Sequence, residues 1–127
     1  MNVKVRPIDQ LLQVKHLMHS SSKAIVFISK RPNYYNFGLT PFFMIRIPDV
    51  DDYSDMPTLI VDKLLYWLDN NAKSVETIYV CCDAGISRSP AVAKFILEYF
   101  NKDSLWINNH FYHYNKELYK RLKELAE

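Results

Sequence analysis

The sequence contains little glycine and little cysteine, and the positions of these few residues are informative. Its 127 residues include two glycines, Gly38 and Gly85. Each therefore raises the question of a backbone conformation that glycine alone adopts without steric cost. The two cysteines, Cys81 and Cys82, are adjacent, and an ordinary disulfide needs a larger separation of its Cα atoms. A disulfide framework is excluded, and a reducing cytoplasm is the expected location.

Long apolar runs and a strong excess of charge are also missing. Sixteen basic and fourteen acidic residues give a net charge of +2, which is too small to indicate a nucleic-acid or membrane partner. No apolar run approaches the roughly 18 residues of a membrane span, and charges throughout Met1–Ser20 argue against a secretory signal. With 49% hydrophobic residues in a chain of common domain size, we expect one domain over residues 1–127 and leave its oligomeric state open.

Apolar runs alternate with helical patterns along the chain. The runs predict four strands: Val3–Val5 at an edge, Ala24–Ser29, Phe42–Ile47 and Thr77–Cys82. Helical spacing of apolar residues covers four further segments: Ile8–His19, Pro57–Asn70, Ser89–Asn101 and the chain that follows an N-cap at Asn115. Between the last two, Lys102–Tyr114 is expected to be irregular. This order predicts an α/β fold with a mostly parallel central sheet flanked by helices, whose ligands bind at the carboxyl ends of strands.

The strand that ends at Cys82 leads through a short turn into a helix. We expect Ser89 at the N-cap and Pro90 at the first helical position, where both residue types are favoured. Backbone N–H groups of such a loop converge, and the positive end of the helix dipole points the same way, so the segment forms an anion site. The same field favours a thiolate at Cys82, and Arg88 offers a planar pair of donors to two phosphate oxygens. These groups are the ones that nucleophilic phosphoryl transfer needs.

The string Cys82-Asp-Ala-Gly-Ile-Ser-Arg-Ser-Pro-Ala91 resembles the signature loop of the protein tyrosine phosphatase superfamily, which has the pattern Cys-x5-Arg followed by serine. It is most similar to the dual-specificity branch and its compact bacterial and phage relatives. The resemblance extends weakly to Phe42–Asp49 and to Tyr112–Tyr119, and so covers most of the chain from Ala24. It implies a cysteine-phosphatase fold in which strand, phosphate loop and helix are joined at Cys82–Arg88.

The resemblance also implies a hydrolysis of phosphotyrosine, with or without phosphoserine and phosphothreonine, that uses neither a metal nor another cofactor. Cys82 would attack phosphorus and form a phosphocysteine, Arg88 would hold the phosphate, and Ser89 would stabilise the leaving thiolate. The substrate would be a phosphorylated protein or a small phosphomonoester. The predicted substrate-binding residues are Asp83, Ala84, Gly85, Ile86, Ser87 and Arg88.

A general acid is expected on a separate loop, where an aspartate would protonate the leaving oxygen and then activate water. The loop after Phe42–Ile47 offers four candidates: Asp49, Asp51, Asp52 and Asp55. In dual-specificity relatives the acid lies some thirty residues before the cysteine, directly after the strand. Asp49, 33 positions before Cys82, fits this spacing best, and Asp51 and Asp52 are the alternatives.

Two residues depart from the family pattern. Cys81 stands where relatives usually have a histidine that braces the loop, and Tyr114 precedes Asn115 where relatives often have proline. Strand alternation directs the Cys81 side chain away from the site. The missing histidine leaves open a second class of function, a phosphate-binding module without turnover.

Other functions and sites are weighed against these. Phosphatases of RNA 5′ ends or of lipids are alternatives, although lipid-phosphatase relatives tend to carry loop lysines that this loop lacks. His110 and His113 do not form a metal-ligand spacing with the adjacent cysteines, so no metal site is predicted. Three aromatic residues could either line a pocket for a phosphoaryl group or cover the sheet: Tyr34, Tyr35 and Phe37.

Overall fold

The computed structural model describes residues 1–31, 34–83 and 87–127. Within these residues four strands form one sheet in the order β1-β4-β2-β3, and every neighbouring pair is parallel. The strands are β1 (Asn2–Pro7), β2 (Lys23–Ser29), β3 (Phe42–Arg46) and β4 (Thr77–Cys82). The predicted α/β fold is confirmed, and β1 lies at an edge of the sheet as expected.

Six helices surround this sheet in the described part of the chain: α1 (Ile8–Gln13), α2 (Lys15–Met18), α3 (Thr58–Asn71), α4 (Arg88–Tyr99), α5 (Leu105–His110) and α6 (Lys116–Ala126). They depart from the prediction at two places. The helix expected over Ile8–His19 is broken at Val14, whose ψ of 31° leaves the helical region. The segment Lys102–Tyr114, which was expected to be irregular, contains α5. This helix buries one side chain, that of Ile107, and a single apolar position gives no helical period in the sequence.

Alternate residues of each strand enter two different cores, one on each face of the sheet. The larger core joins β-strand residues such as Val80 and Cys82 to α3, α4 and α6. The smaller core joins Phe27 and Cys81 to residues of α1, α2 and the segment around Phe37. The two adjacent cysteines therefore point to opposite faces, as the twofold period of a strand requires.

Helix α4 is buried from Arg88 to Leu97, as its almost wholly apolar composition predicts. Its start differs from the prediction. Ser87 is the N-cap and Arg88 the first helical residue, so Ser89 is not the cap and Pro90 is not at the first position. Pro90 is tolerated as the third residue because the first four N–H groups of a helix have no partner within it.

Of the three aromatic residues weighed for a pocket, Tyr35 and Phe37 pack over the sheet, whereas Tyr34 is 74% exposed. Phe37 is buried and stacks on Phe42 with 5.8 Å between ring centroids, and the rings of Tyr34 and Tyr35 also contact Phe42. Phe42 is the first residue of β3. It therefore lies at the amino ends of the parallel strands, away from the carboxyl end of β4. The geometry therefore favours the sheet-covering interpretation for Tyr35 and Phe37.

The conformation at Gly38 explains one of the two glycines. Its φ is +69°, and a Cβ atom placed there would lie 1.6 Å from Nδ1 of His19. A side chain at this position would therefore be strained and would clash with the imidazole ring. Gly85 lies outside the described residues.

None of the helices in the described part of the chain is both long and apolar enough to cross a membrane.

Candidate active site

Cys82 ends β4, and its sulfur faces the first turn of α4. Its Sγ lies 3.3 Å from Oγ of Ser89, to which the thiol donates a hydrogen bond. Cys82 is 1% exposed and Ser89 is fully buried. A hydroxyl can donate as well as accept, so Ser89 is placed to donate to Cys82 when the sulfur carries a negative charge.

The turn between β4 and α4 is described only at its two ends. Three of the predicted substrate-binding residues, Ala84, Gly85 and Ile86, lie outside the described residues. The carboxylate of Asp83 is half-exposed and lies 3.5 Å from the hydroxyl of Ser29. At the other end, the carbonyl oxygen of Ser87 accepts a hydrogen bond from the backbone N–H of Asn115 at 2.9 Å.

The guanidinium group of Arg88 is buried at the carboxyl ends of the strands. Its Nη1 donates to the carbonyl oxygen of Ile47 at 2.8 Å, and its Nη2 lies 3.7 Å from the carboxylate of Asp83. Ile47 directly follows β3, so this arginine fixes the start of α4 to the start of the acidic loop. The guanidinium has five N–H donors in a plane, and these two contacts leave donors for an anion.

Asp49 lies two residues beyond Ile47, in the loop where the acid was expected. Its Oδ1 accepts a hydrogen bond of 3.3 Å from the side-chain amide of Asn115. Because the backbone of Asn115 also contacts Ser87, the structure brings Asp49 to the side of the loop that leads into α4.

Tyr53 organises the backbone on both sides of Asp49. Its hydroxyl donates to the carbonyl oxygen of Pro48 at 2.8 Å and accepts from the N–H of Val50 at 3.3 Å. Tyr53 is 5% exposed. Burial, supported by the nearby negative charge of Asp49, raises the pKa of the Tyr53 hydroxyl above its ordinary value, so the group stays protonated and keeps its donor.

The alternative acids are placed differently. Asp52 accepts hydrogen bonds from the backbone and the hydroxyl of Ser54 at 2.9 and 3.1 Å. These two bonds lower its pKa, which is opposite to the shift that helps a carboxyl group to act as a proton donor. Asp55 lines a cavity of about 230 Å³ between the acidic loop and the start of α3. All four candidate carboxylates are exposed. Asp49 differs from the other three by its hydrogen bond to Asn115, whose backbone contacts Ser87 beside the start of α4.

Cys81 lies in the smaller core, on the face of the sheet opposite to Cys82. Burial first, and then the neighbouring Cys82, raise the pKa of its thiol, against a smaller opposing effect of Arg6. Cys81 is therefore an uncharged buried thiol, as expected of a residue that strand alternation directs away from the site.

Sequence reasoning missed the contacts that join the acidic loop to the rest of the site. Asn115 was expected as an N-cap, and its Oδ1 does accept from the N–H of Leu118 at 2.9 Å, but its contacts with Asp49 and Ser87 were not foreseen. Tyr53 was not singled out. The signal available for it was a single aromatic residue among the carboxylates of the loop Pro48–Asp55.

Within the described ranges, no group of three or more histidine, cysteine, aspartate or glutamate side chains is placed to hold a metal ion. His110 instead contacts the carbonyl oxygen of Trp106 through Nδ1 at 3.0 Å. The ring of His113 packs against Tyr112.

Comparison with solved structures shows the same fold in proteins named as phosphatases or as phosphatase-like. The active form of Tk-PTP is 18% identical, with a TM-score of 0.65 over 97% of this chain and 88% of that one. Human DUSP28 is 12% identical, with a TM-score of 0.60 over 97% and 90%. The human tyrosine phosphatase-like serine/threonine/tyrosine-interacting protein is 16% identical, with a TM-score of 0.54 over 94% and 84%.

No family model matches the chain, and no curated protein matches it. Likeness at these identities establishes a shared fold. The resemblance that the signature loop indicated is confirmed at that level.

Proposed function

We propose that this chain, which has the protein tyrosine phosphatase fold, is a cysteine-dependent phosphomonoesterase that hydrolyses phosphotyrosine, with phosphoserine and phosphothreonine as further substrates. The observation that carries the proposal is the meeting of Cys82, Ser89 and Arg88 at the carboxyl end of β4, where α4 begins. Ligands of parallel α/β folds bind at this edge.

In the first chemical step the Cys82 thiolate attacks phosphorus, and the bond from phosphorus to the leaving oxygen breaks as a phosphocysteine forms. Arg88 and the N–H groups at the start of α4 bind the phosphate oxygens, and their positive charge opposes the negative charge of the transition state. The contact of Arg88 with the Ile47 carbonyl at 2.8 Å supports this role, because it holds the guanidinium in one orientation.

Asp49 then supplies the proton that the leaving oxygen needs. In the second step the same carboxylate takes a proton from water, which attacks the phosphocysteine and releases phosphate. Ser89, 3.3 Å from the sulfur, donates its hydroxyl proton in a hydrogen bond to the departing thiolate. The need for a reduced Cys82 fits a reducing compartment such as the cytoplasm.

A phosphate-binding module without turnover is the second candidate. It is favoured by Cys81, which stands in the place of the expected histidine and lies on the opposite face of the sheet. One neighbour of the same fold is described as phosphatase-like and as an interacting protein. Both candidates bind phosphate, and turnover separates them.

The test is hydrolysis of a tyrosine-phosphorylated peptide and of a small aryl phosphate, each with and without a chelator. We expect turnover that the chelator does not reduce and that Cys82→Ser abolishes, with Cys81→Ser as the matched control that retains it. Asp49→Asn should lower kcat by about 10² to 10⁴, the range of general acid catalysis, and Asp52→Asn should have little effect. Vanadate binding without any turnover in the unmodified chain would favour the binding module. Faster hydrolysis of an RNA 5′ phosphate or of a phosphoinositide than of the peptide would show that the preferred substrate is not a phosphorylated protein.

A further inference from the structure

Besides the helical bond in which its carbonyl oxygen accepts from the N–H of Tyr119 at 3.1 Å, Asn115 makes four hydrogen bonds at the N-terminus of α6. Its Oδ1 accepts from the N–H of Leu118 at 2.9 Å, which caps the helix. Its backbone N–H donates to the carbonyl oxygen of Ser87 at 2.9 Å. Its Nδ2 donates to Oδ1 of Asp49 at 3.3 Å and to the hydroxyl of Tyr53 at 2.8 Å. Capping uses one of these four bonds and leaves three that a helix N-terminus does not need.

These three bonds join the two loops that the reaction requires. Ser87 directly precedes Arg88 and closes the turn that begins at Cys82, whereas Asp49 belongs to the loop after β3. The backbone of Asn115 therefore holds the first loop, and its side-chain amide holds the second. Asn115 lies 66 positions from Asp49 in the chain, so this juxtaposition arises from the packing of α6 beside the sheet.

The amide of Asn115 is held rigidly enough to set a position. Its Oδ1 is fixed by the cap, and α6 is anchored by Leu118 and Leu122, which are fully buried. The hydroxyl of Tyr53, which accepts from the same amide, also bonds the backbone immediately before and after Asp49. Asp49 is thus held by its side chain through Asn115 and by its flanking peptides through Tyr53.

We propose that Asn115 is a positioning residue that holds the Asp49 carboxyl group at a fixed distance from the Cys82–Arg88 loop, with Tyr53 as the second member of the same hydrogen-bonded unit. The inference rests on the proposed phosphatase function and on Asp49 as its acid. Asn115 acts through Asp49 and does not touch the substrate. A neutral amide suits this role, because it orients the carboxyl group without adding a charge beside the phosphate.

The test is Asn115→Ser, because serine also caps helices well but has no amide to reach Asp49 and Tyr53. We expect kcat for an alkyl phosphate to fall by about 10- to 100-fold, the cost of a misplaced catalytic group. The fall should be several-fold smaller for an aryl phosphate whose phenol is acidic enough to leave without a proton. The vanadate dissociation constant and the melting temperature should stay close to those of the unmodified chain.

Two further variants distinguish a positioning role of Asn115 from a general loss of structure. Asn115→Asp keeps the shape and the capping oxygen but turns an acceptor toward Asp49, and it should lose at least as much activity as Asn115→Ser. Tyr53→Phe removes only the hydroxyl, and it should reproduce the same dependence on the leaving group to a smaller extent. Equal losses for alkyl and acidic aryl phosphates would overturn the positioning role.

A double-mutant cycle separates this inference from the proposed function. If Asn115 acts through Asp49, adding Asn115→Ser to Asp49→Asn should cost less than twofold, because residues of one unit do not contribute additively. A full additional loss in the double variant would contradict the positioning role and leave the phosphatase intact. Absence of turnover in the unmodified chain, or full activity of Cys82→Ser, would instead contradict the proposed function.

Discussion

Arg88 and Lys94 lie six positions apart on α4 and are equally buried, at 7% exposure each, yet their surroundings differ. Lys94 donates to Asn108 at 3.0 Å, lies 3.6 Å from Glu98, and its ammonium group lies 5.0 Å from the ring centre of Tyr119. Glu98 balances its charge, and its contacts with Asn108 and Tyr119 join α4 to α5 and α6.

The fixed partner of Arg88 is a neutral backbone carbonyl, that of Ile47. Among the described residues its paired carboxylate is Asp83, which is 47% exposed and 3.7 Å away, a geometry that contributes little. The start of α4 adds a further positive field. The comparison teaches that burial of a cation does not by itself mark a site, and that the partners of the cation decide its role.

The largest effect that this comparison predicts is a loss of turnover when Arg88 is replaced. Arg88→Lys keeps the charge but removes the planar pair of donors, and we expect kcat/KM for an aryl phosphate to fall by about 10²-fold or more. The matched change at the other cation, Lys94→Met, should leave kcat/KM per folded molecule unchanged. Steady-state kinetics of both purified variants measures this. Near-normal turnover of Arg88→Lys would show that the loop does not bind phosphate through a guanidinium.

The second expected effect is on stability and concerns Lys94. Lys94→Met removes the hydrogen bond to Asn108 and the ion pair with Glu98. Asn108 is exposed to water, and Glu98 keeps its bonds to Ser104, Tyr119 and Lys123. We therefore expect the free energy of unfolding to fall by about 0.5–1.5 kcal/mol, the net contribution of one hydrogen bond, measured by urea denaturation at neutral pH. An unchanged denaturation midpoint would show that this cluster does not hold the helices together.

The smallest expected effect is a pH dependence at the same cluster. Burial disfavours the charge of Glu98, but hydrogen bonds from Tyr119, Ser104 and Lys123 outweigh it and lower the pKa of its carboxyl group below the ordinary 4.5. A lowered pKa in the folded state means that Glu98 stabilises the protein above pH 4.5 and that this contribution is lost as the pH falls through the lowered pKa. The stability difference between the unmodified chain and Glu98→Gln should therefore shrink below pH 4.5, as urea denaturation at several pH values would show. A stability difference that does not change with pH would contradict this prediction.

Much of the fold follows from local patterns. The four apolar runs became strands, because helices and loops cover both faces of this parallel sheet and its strands are apolar on both sides. The periodic segments became helices, because the spacing of 3.6 residues is set by the helical backbone. Boundaries were less well predicted. Helix α4 begins at Arg88, one residue before the expected cap, because a serine in a favourable position does not alone fix where a helix starts. The short helix α5 was missed because it buries only one side chain.

Local sequence was sufficient to place the side chains around one strand end. The order of Cys82, Arg88 and Ser89, the burial of α4 and the opposite faces of Cys81 and Cys82 follow from neighbours within a few residues. Local geometry is sufficient there, since a strand, a turn and the first turn of a helix leave each side chain few directions.

Which distant residues contact this strand end depends on long-range packing. Arg88 bonds to Ile47 across 41 positions, and Asn115 bonds to Asp49 across 66. These contacts depend on how α4 and α6 pack against the sheet, through the buried side chains of both helices. No local period encodes the distance between separate elements, because that distance is the outcome of packing the whole core at once.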